Sequence, residues 1–409
     1  MITRRLILFF LLIHTMPAFS LSNECGASTS IEGTGYLIAP SGKDDTANIK
    51  CAFQSAKEQG LSSITLAEGD FKVSTLDVGD FEGVFQGSNR RKSKVFVANN
   101  VADCGDGFDD ATGIFTFFGG NVSVRKMTID VDRPCSRGSS FIVFRFTQKS
   151  CGARTHFANV DRVTLISPSS EDISTAVQMT GRMVCVEDQK GSLGTFKLNR
   201  SSIEGFDVGA NVSLLGGGQV DINFNEFVGV AEGVVFENAN QNATITGNTF
   251  DYVFDGVLVY AVEAYAPSSN RVVVHNNKFL QSTADSYAYG VRVFHEQKRT
   301  ATSVVISENT FELEERAGDD SKIGIGIFDT DNAVIVSNEF TGSATVGIYV
   351  DAFSFGGEAS KNTAIIGNSF KQDNSLEDLD VFLGEETEGS VVGRQFAKTR
   401  DYGTNNFSL

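Results

Sequence analysis

Glu237, Tyr260, Arg292, Phe294, His295, Phe328, Asp329, Tyr349 and Asp351 stand at matching places in five short segments of this chain. Glycine opens each segment: Gly233-Val234-Val235-Phe236, Gly256-Val257-Leu258-Val259, Gly290-Val291-Arg292-Val293, Gly324-Ile325-Gly326-Ile327 and Gly347-Ile348-Tyr349-Val350. Strand alternation sends the first and third residues after glycine into a core and the second and fourth outward. One outward column then reads Val235, Leu258, Arg292, Gly326, Tyr349, and the next reads Glu237, Tyr260, Phe294, Phe328, Asp351. Aromatic rings flanked by carboxylates and one cation suit a sugar. Rings stack on sugar faces, and carboxylates bond hydroxyls or move protons. Glu237, Asp329 and Asp351 could supply the carboxylate pair of a glycoside hydrolase. In a lyase, Tyr260 or His295 could act as base while Arg292 holds a uronate carboxylate in a bidentate pair. The plainer alternative is that these side chains support loops packed on an outer face.

The elements that must position them repeat. Asn-x-Phe triplets occur at Asn225-Glu226-Phe227, Asn248-Thr249-Phe250, Asn277-Lys278-Phe279, Asn309-Thr310-Phe311, Asn338-Glu339-Phe340 and Asn368-Ser369-Phe370. Successive Asn residues are 23, 29, 32, 29 and 30 apart, a period that marks a repeat architecture. Before the triplets lie short β-branched runs such as Val220-Asp221-Ile222, Val272-Val273-Val274 and Val304-Val305-Ile306, which read as strands. One such unit cannot bury its own apolar face, but stacked copies can. The expected fold is all-β: a single-stranded parallel β-helix, with coils about 4.8 Å apart. The six Phe should form an internal column and the six Asn a hydrogen-bonded ladder. Weaker repeats lie upstream. Val122-Ser123-Val124, Val163-Thr164-Leu165 and Phe196-Lys197-Leu198 read as the same strand, with Met127 and Ile129, or Ser201 and Ile203, replacing Asn and Phe. About nine coils carry this strand, with one or two more at the N-terminus.

Composition narrows the class. The chain has 409 residues, 41% hydrophobic, with 34 Phe, 41 Gly and no Trp, enough for one elongated domain. Arg4-Arg5, the apolar run Leu6–Ile13 and Ala18-Phe19-Ser20 read as a secretory signal peptide over residues 1–20. Beyond it, no run of apolar residues is long enough for a transmembrane helix. A secreted, periplasmic or cell-surface location follows. Six Cys suggest disulfides, with neighbour pairing the simplest pattern: Cys25–Cys51, Cys104–Cys135 and Cys151–Cys185. The organisation expected is a cap over 21–60, irregular stapled coils over 61–200 and regular coils with a C-terminal cap over 201–409. Net charge is −17, and loss of Arg4 and Arg5 takes it to −19. So acidic a chain argues against nucleic acid and anionic membranes as partners, with no membrane insertion expected, and disfavours polyanionic sugars unless a cation bridges them. A monomer is expected. Asp103, Asp106, Asp109 and Asp110, set among glycines, form an oxygen-rich loop suited to Ca2+, or else a solvated acidic loop.

Residues 42–97 add a resemblance. Asp44-Asp45-Thr46-Ala47-Asn48-Ile49 leads into an amphipathic stretch to Gln59, with apolar or small residues at 49, 52, 53 and 56. Ile64-Thr65-Leu66, Ala67-Glu68-Gly69-Asp70-Phe71 and Val84-Phe85-Gln86-Gly87 follow. This resembles the opening of the pectate-lyase-like superfamily, where a D-D-T-x-x-I motif begins a capping helix. The resemblance implies a right-handed β-helix and a carbohydrate-directed role, as polysaccharide lyase, glycoside hydrolase or non-catalytic glycan binder. The superfamily's G-H-G, W-x-D-H and D-P-H-E motifs are absent. Any activity must use another constellation, and the fold does not choose one.

Overall fold

The structure is a computed structural model describing residues 25–408, except 27, 80, 98–112, 131–138, 146–155, 168–173, 181–193, 214–217, 238–241, 262–270, 282–287, 296–302, 314–321, 343–345, 353–359, 373–378 and 394–398. Two long sheets run through it, of 15 and 21 strands, in which strands pair parallel with their counterparts one coil away. An antiparallel hairpin, Thr29–Glu32 with Gly35–Ile38, starts the first sheet. Each regular coil has one strand in the first sheet, a tight bend, then the Asn-x-Phe and glycine-opened strands in the second.

The inner columns form as the repeat requires. The rings of Phe227, Phe250, Phe279, Phe311, Phe340 and Phe370 stack at centroid spacings of 4.8–5.0 Å, tilted by 6–11°. Beside them runs the Asn ladder. Asn248 donates its backbone N–H and side-chain amide to Asn277 Oδ1, both at 2.9 Å, and its amide also to the Ile222 carbonyl at 2.8 Å. The same set repeats down to Asn368 Oδ1, which accepts from Asn338. Ser201 extends the ladder upstream by one rung, accepting the Val163 N–H. The bend ahead of each Asn holds a left-handed residue, for example Gly247, Asn276 and Gly367.

The glycines that open the outer strands answer to the same rings. A Cβ on Gly256 would lie 2.5 Å from Phe279 Cδ1, and one on Gly324 2.5 Å from Phe340 Cε1. Each glycine makes room for the Phe of the following coil. Gly209 does so for Phe227, so the glycine series begins one coil before the first triplet. It also ends early: Asp380 takes the position in the coil of Phe370, in the strand Leu379–Leu383. That strand escaped sequence reading because it lacks the glycine. A further triplet, Asn405-Asn406-Phe407, is no rung: Phe407 pairs with Val391 in the first sheet and is exposed.

One upstream assignment needs correction. The strand of the first sheet is His156–Asp161, with Ala158 and Val160 registered on Val122 and Val124. Val163 instead takes the Asn position and Leu165 the Phe position, beside Ile129 and Ile203. Without Asn and Phe the two strands of the coil look alike, and the sequence slipped onto the second.

The helix Thr46–Gln59 buries Ile49, Ala52, Phe53 and Ala56, one face at helical spacing. Thr46 N–H donates to Asp44 Oδ1 at the helix start, while Asp45 Oδ1 accepts the Ser41 N–H of the loop before it. Gly60 ends it in the left-handed conformation. Phe53 packs on Phe81 and Phe85, within the first coils. Cys25 and Cys51 are joined as the neighbour pattern expects. Cys104, Cys135, Cys151 and Cys185 lie outside the described residues, as do Asp103, Asp106, Asp109 and Asp110.

Candidate functional site

Val234, Phe236, Val257, Val259, Val291, Val293, Ile325, Ile327, Ile348 and Val350 point into the core. The bend at glycine resets the alternation. The residue before each glycine and the second after it both face outward and converge in an elbow. Before glycine the column reads Val208, Glu232, Asp255, Tyr289, Ile323, Val346, each registered on the next. Opposite it run Asn211, Val235, Leu258, Arg292, Gly326 and Tyr349, in register likewise.

The elbow floor is apolar. Val208, Val235, Leu258, Phe294 and Phe328 form a cluster separate from the main core, with Tyr260, Tyr289 and Tyr349 packed against it. Tyr260 stacks on Phe294 at 5.4 Å, and Tyr289 meets Phe328 edge-on at 5.9 Å. Tyr349 packs on both Phe328 and Phe382. Gly326 is the gap into which the Tyr289 ring folds, since a Cβ there would lie 2.8 Å from it. Phe294 and Phe328 are therefore buried by their neighbours, whereas Tyr260 and Tyr349 remain partly open.

Arg292 departs from expectation. The sequence offered it as a free cation for a sugar carboxylate. In the structure its Nη2 donates to Asp255 Oδ2 at 2.5 Å, and the guanidinium lies over the rings of Tyr289 and Phe294, 5.1 and 5.6 Å from their centroids. Asp255 is 1% exposed and Arg292 about a quarter exposed. Sequence reading missed Asp255 and its neighbour Glu232 because alternation carried unbroken through the glycine would turn both inward. An acid directly before the strand-opening glycine in two successive coils was the available signal.

The other candidates scatter along the elbow's far side. Asp351 accepts from Tyr349 Oη at 3.1 Å and from the Glu386 N–H at 3.2 Å, and its carboxylate rests against Gly384. Asp329 is buried in a left-handed turn after its strand, its N–H donating to the Asp351 carbonyl. Glu237 and His295 are in register with Tyr260 and Ala261, and only their backbone is described. His275 bonds Ser307 Oγ in the first sheet, away from the elbow. Among the described residues, no group of three His, Cys, Asp or Glu is placed to hold a metal ion.

Known proteins share this architecture. The Dettilon tailspike protein superposes with a TM-score of 0.60 at 13% identity, over 90% of this chain and 68% of that one. The catalytic domain of a GH87 alpha-1,3-glucanase in complex with nigerose gives 0.50 at 13%, over 94% of this chain and 67% of that one. Full-length tailspike protein 2 of an Escherichia coli O157:H7 bacteriophage gives 0.52 at 12%, over 80% of this chain and 40% of that one. The shared fold is the right-handed parallel β-helix, as the resemblance of the sequence implied. A family profile described as NosD, periplasmic copper-binding protein, matches residues 177–380 of this β-helix. No curated protein sequence matches it.

The electrostatics of the elbow centre on its acids. Burial raises Asp255 to about 6, against the pull of Arg292. Burial, then the charges of Asp255 and Asp207, raises Glu232 to about 7, partly offset by Arg292. Burial also raises Asp207. A carboxyl group titrating near neutrality, beside an ion pair and partly open aromatic rings, can both give and take a proton at working pH.

Proposed function

We propose that this β-helix is an exported carbohydrate-active protein that cleaves a polysaccharide along the glycine elbow, with Glu232 as the proton-transfer group. The observation that carries this reading is the pairing of Glu232 with Asp255 on adjacent coils, Cα partners in register, over an Arg292 held on two rings. Adjacent coils lie about 4.8 Å apart, so the open edges of Tyr260 and Tyr349 lie along the axis an extended glycan would follow. Burial, and then the charge of Asp255 fixed by Arg292, bring the titration of Glu232 near neutrality, so Asp255 acts on Glu232 rather than touching the sugar itself. The match to a periplasmic family profile and the shared fold of a glucanase domain support export and a glycan substrate. Asp329, Asp351, Glu237 and His295 stay candidates for contacts to the chain.

The copper in that family's description finds no matching donors here among the described residues. Cys25 and Cys51 are tied to each other, Met127 and Met179 are buried in the core, and His156 and His275 stand in separate coils. No step of the proposed reaction passes through a metal.

One observation favours a second reading, a non-catalytic glycan binder or rigid spacer: Leu258, Phe294 and Phe328 are buried, so the elbow floor is packed rather than open. A polysaccharide screen on the mature chain, with and without calcium, separates the two. It reads reducing ends for hydrolysis and the absorbance of unsaturated uronates for elimination. Glu232→Gln should cut turnover by about 10²–10⁴-fold with no fall in thermal midpoint. Release of neither product by the wild-type chain would leave the second reading.

A further inference from the structure

A second feature lies at the bend between the two sheets, away from the elbow. Every regular coil turns there through a left-handed residue. Gly247, Asn276 and Gly367 suit that conformation, and Glu308 and Ser337 adopt it as well. Four consecutive coils upstream place bulky side chains in it: Lys126 at φ 51°, Arg162 at 56°, Arg200 at 51° and Phe224 at 58°. Such residues seldom adopt positive φ, but this bend imposes it on Glu308 and Ser337 too, so charge and exposure set the upstream four apart.

The four are in line. Lys126 N–H donates to the Asp161 carbonyl at 3.2 Å, Arg162 to Asn199 at 3.0 Å, Arg200 to Asn223 at 3.1 Å and Phe224 to Thr246 at 3.0 Å. Their backbones therefore climb a ridge at about 4.8 Å per coil. Phe224 is 64% exposed, and its ring lies over Gly247, where a Cβ would meet Cδ1 at 2.7 Å. An apolar ring kept flat and open to solvent gains nothing by burial. The side chains of Arg162 and Arg200 are about half exposed. Arg90 reaches along the same side, with Nε donating to Thr164 Oγ1 at 2.7 Å and Nη1 to the Arg200 carbonyl at 3.4 Å. The acids facing this ridge are few. Asp161 accepts from Arg200 at 2.7 and 3.0 Å and lies 3.9 Å from Arg162, and Glu226 acts on Arg90. Positive charge thus gathers on one ridge of a chain whose net charge is −17.

We infer that this ridge is a binding site for a polyanionic glycan, with a sugar ring stacked on Phe224 and acid groups met by Lys126, Arg162 and Arg200. Cations alone would hold any polyanion. The exposed ring at the end of their row selects a sugar chain, and the coil spacing lets successive sugars meet successive side chains. The inference uses none of the elbow's residues and stands whether or not the elbow cleaves anything.

The test titrates the full mature chain with polygalacturonate, dextran sulfate, neutral dextran and polyphosphate. Lys126→Asn/Arg162→Asn and Phe224→Asn are the variants, because asparagine accepts the left-handed conformation and the thermal midpoint should hold or rise. The expected result is binding of polygalacturonate or dextran sulfate, the two arms telling carboxylate from sulfate, and no binding of dextran. The double variant should weaken it about tenfold or more. Phe224→Asn should weaken the acidic glycans and leave polyphosphate unchanged. Binding by neither acidic glycan, or ridge variants that bind as wild type, would overturn the site. Equal binding of polyphosphate with no effect of Phe224→Asn would overturn the glycan assignment.

Discussion

The Phe column faces the interior and the glycine elbow faces outward on the same sheet, and the two meet at the strand-opening glycines. On the inner side every coil repeats one residue type at one place, and each ring meets a copy of itself. On the outer side each coil presents something different: Val208, Glu232, Asp255, Tyr289, Ile323 and Val346 in one column. Repetition serves stacking, because equivalent residues in a solenoid are neighbours. Chemistry needs unlike groups side by side, such as an acid next to a base or a cation next to a ring. A variable column on a repetitive frame is where this fold can hold a site.

The inner column should show the largest effect. Phe311→Ala removes a ring stacked on both sides and should cost about 3–5 kcal/mol in denaturant unfolding. A loss below about 1 kcal/mol would mean that the column is not a principal source of stability.

The elbow's ion pair comes next. Breaking a buried pair costs about 3–5 kcal/mol, and the partial exposure of Arg292 places Arg292→Ala toward or below the lower end. The variant should also be weaker at pH 8 than at pH 5, because Asp255 is left ionised without its partner only at the higher pH. A free cation, as the sequence suggested, would leave the midpoint unchanged. An unchanged midpoint would restore that role.

Glycine 324 joins the two regions. A Cβ there meets the Phe340 ring at 2.5 Å, so Gly324→Ala should cost about 1–3 kcal/mol. Adding Phe340→Leu should recover part of the loss, and the coupling in a double-mutant cycle measures the contact. Independence of the two changes would break the link between glycine and ring.

These contacts show what the sequence made legible. The triplet period gave both inner columns, because the Asn amides and Phe rings bind their own copies and so must recur. The glycines were visible, but their partner was not: each belongs with the Phe one coil on, which explains Gly209 and Asp380 together. Upstream, Met127, Val163 and Ser201 hold the Asn position without its signature, and the strand register slipped there. The elbow was half legible. Tyr260, Arg292, Phe294 and Tyr349 do meet on one outer face. Glu232 and Asp255 were hidden, since a bend at glycine breaks the period of two on which alternation depends.

The acids make stability depend on pH. Glu232 rises from 4.5 to about 7 and Asp255 from 3.8 to about 6 on folding. An acid raised by folding favours the folded state in its protonated form. The contribution is complete below about pH 4 and is lost as pH rises through 6 to 7. The wild-type midpoint should therefore fall between pH 5 and pH 8 more than that of Glu232→Gln. Parallel curves for the two chains would remove Glu232 from the titration.

The smallest effect sharpens the comparison by keeping the chemistry and changing only the surroundings. Lys278 Nζ and Glu312 Oε1 pair across adjacent coils at 2.9 Å, on the outer face, with both side chains nearly half exposed. The separation is close to that of Asp255 and Arg292, so the bare Coulomb attraction is similar. Water screens the exposed pair, and ordering two long side chains offsets much of what remains. A double-mutant cycle should give about 0.2–1 kcal/mol, falling further in high salt. The same cycle on Asp255 and Arg292 should give several-fold more and respond less to salt, because Asp255 is closed to solvent. Equal couplings at the two pairs would mean that the elbow is as wet as the outer surface, and burial could then no longer hold Glu232 near neutrality.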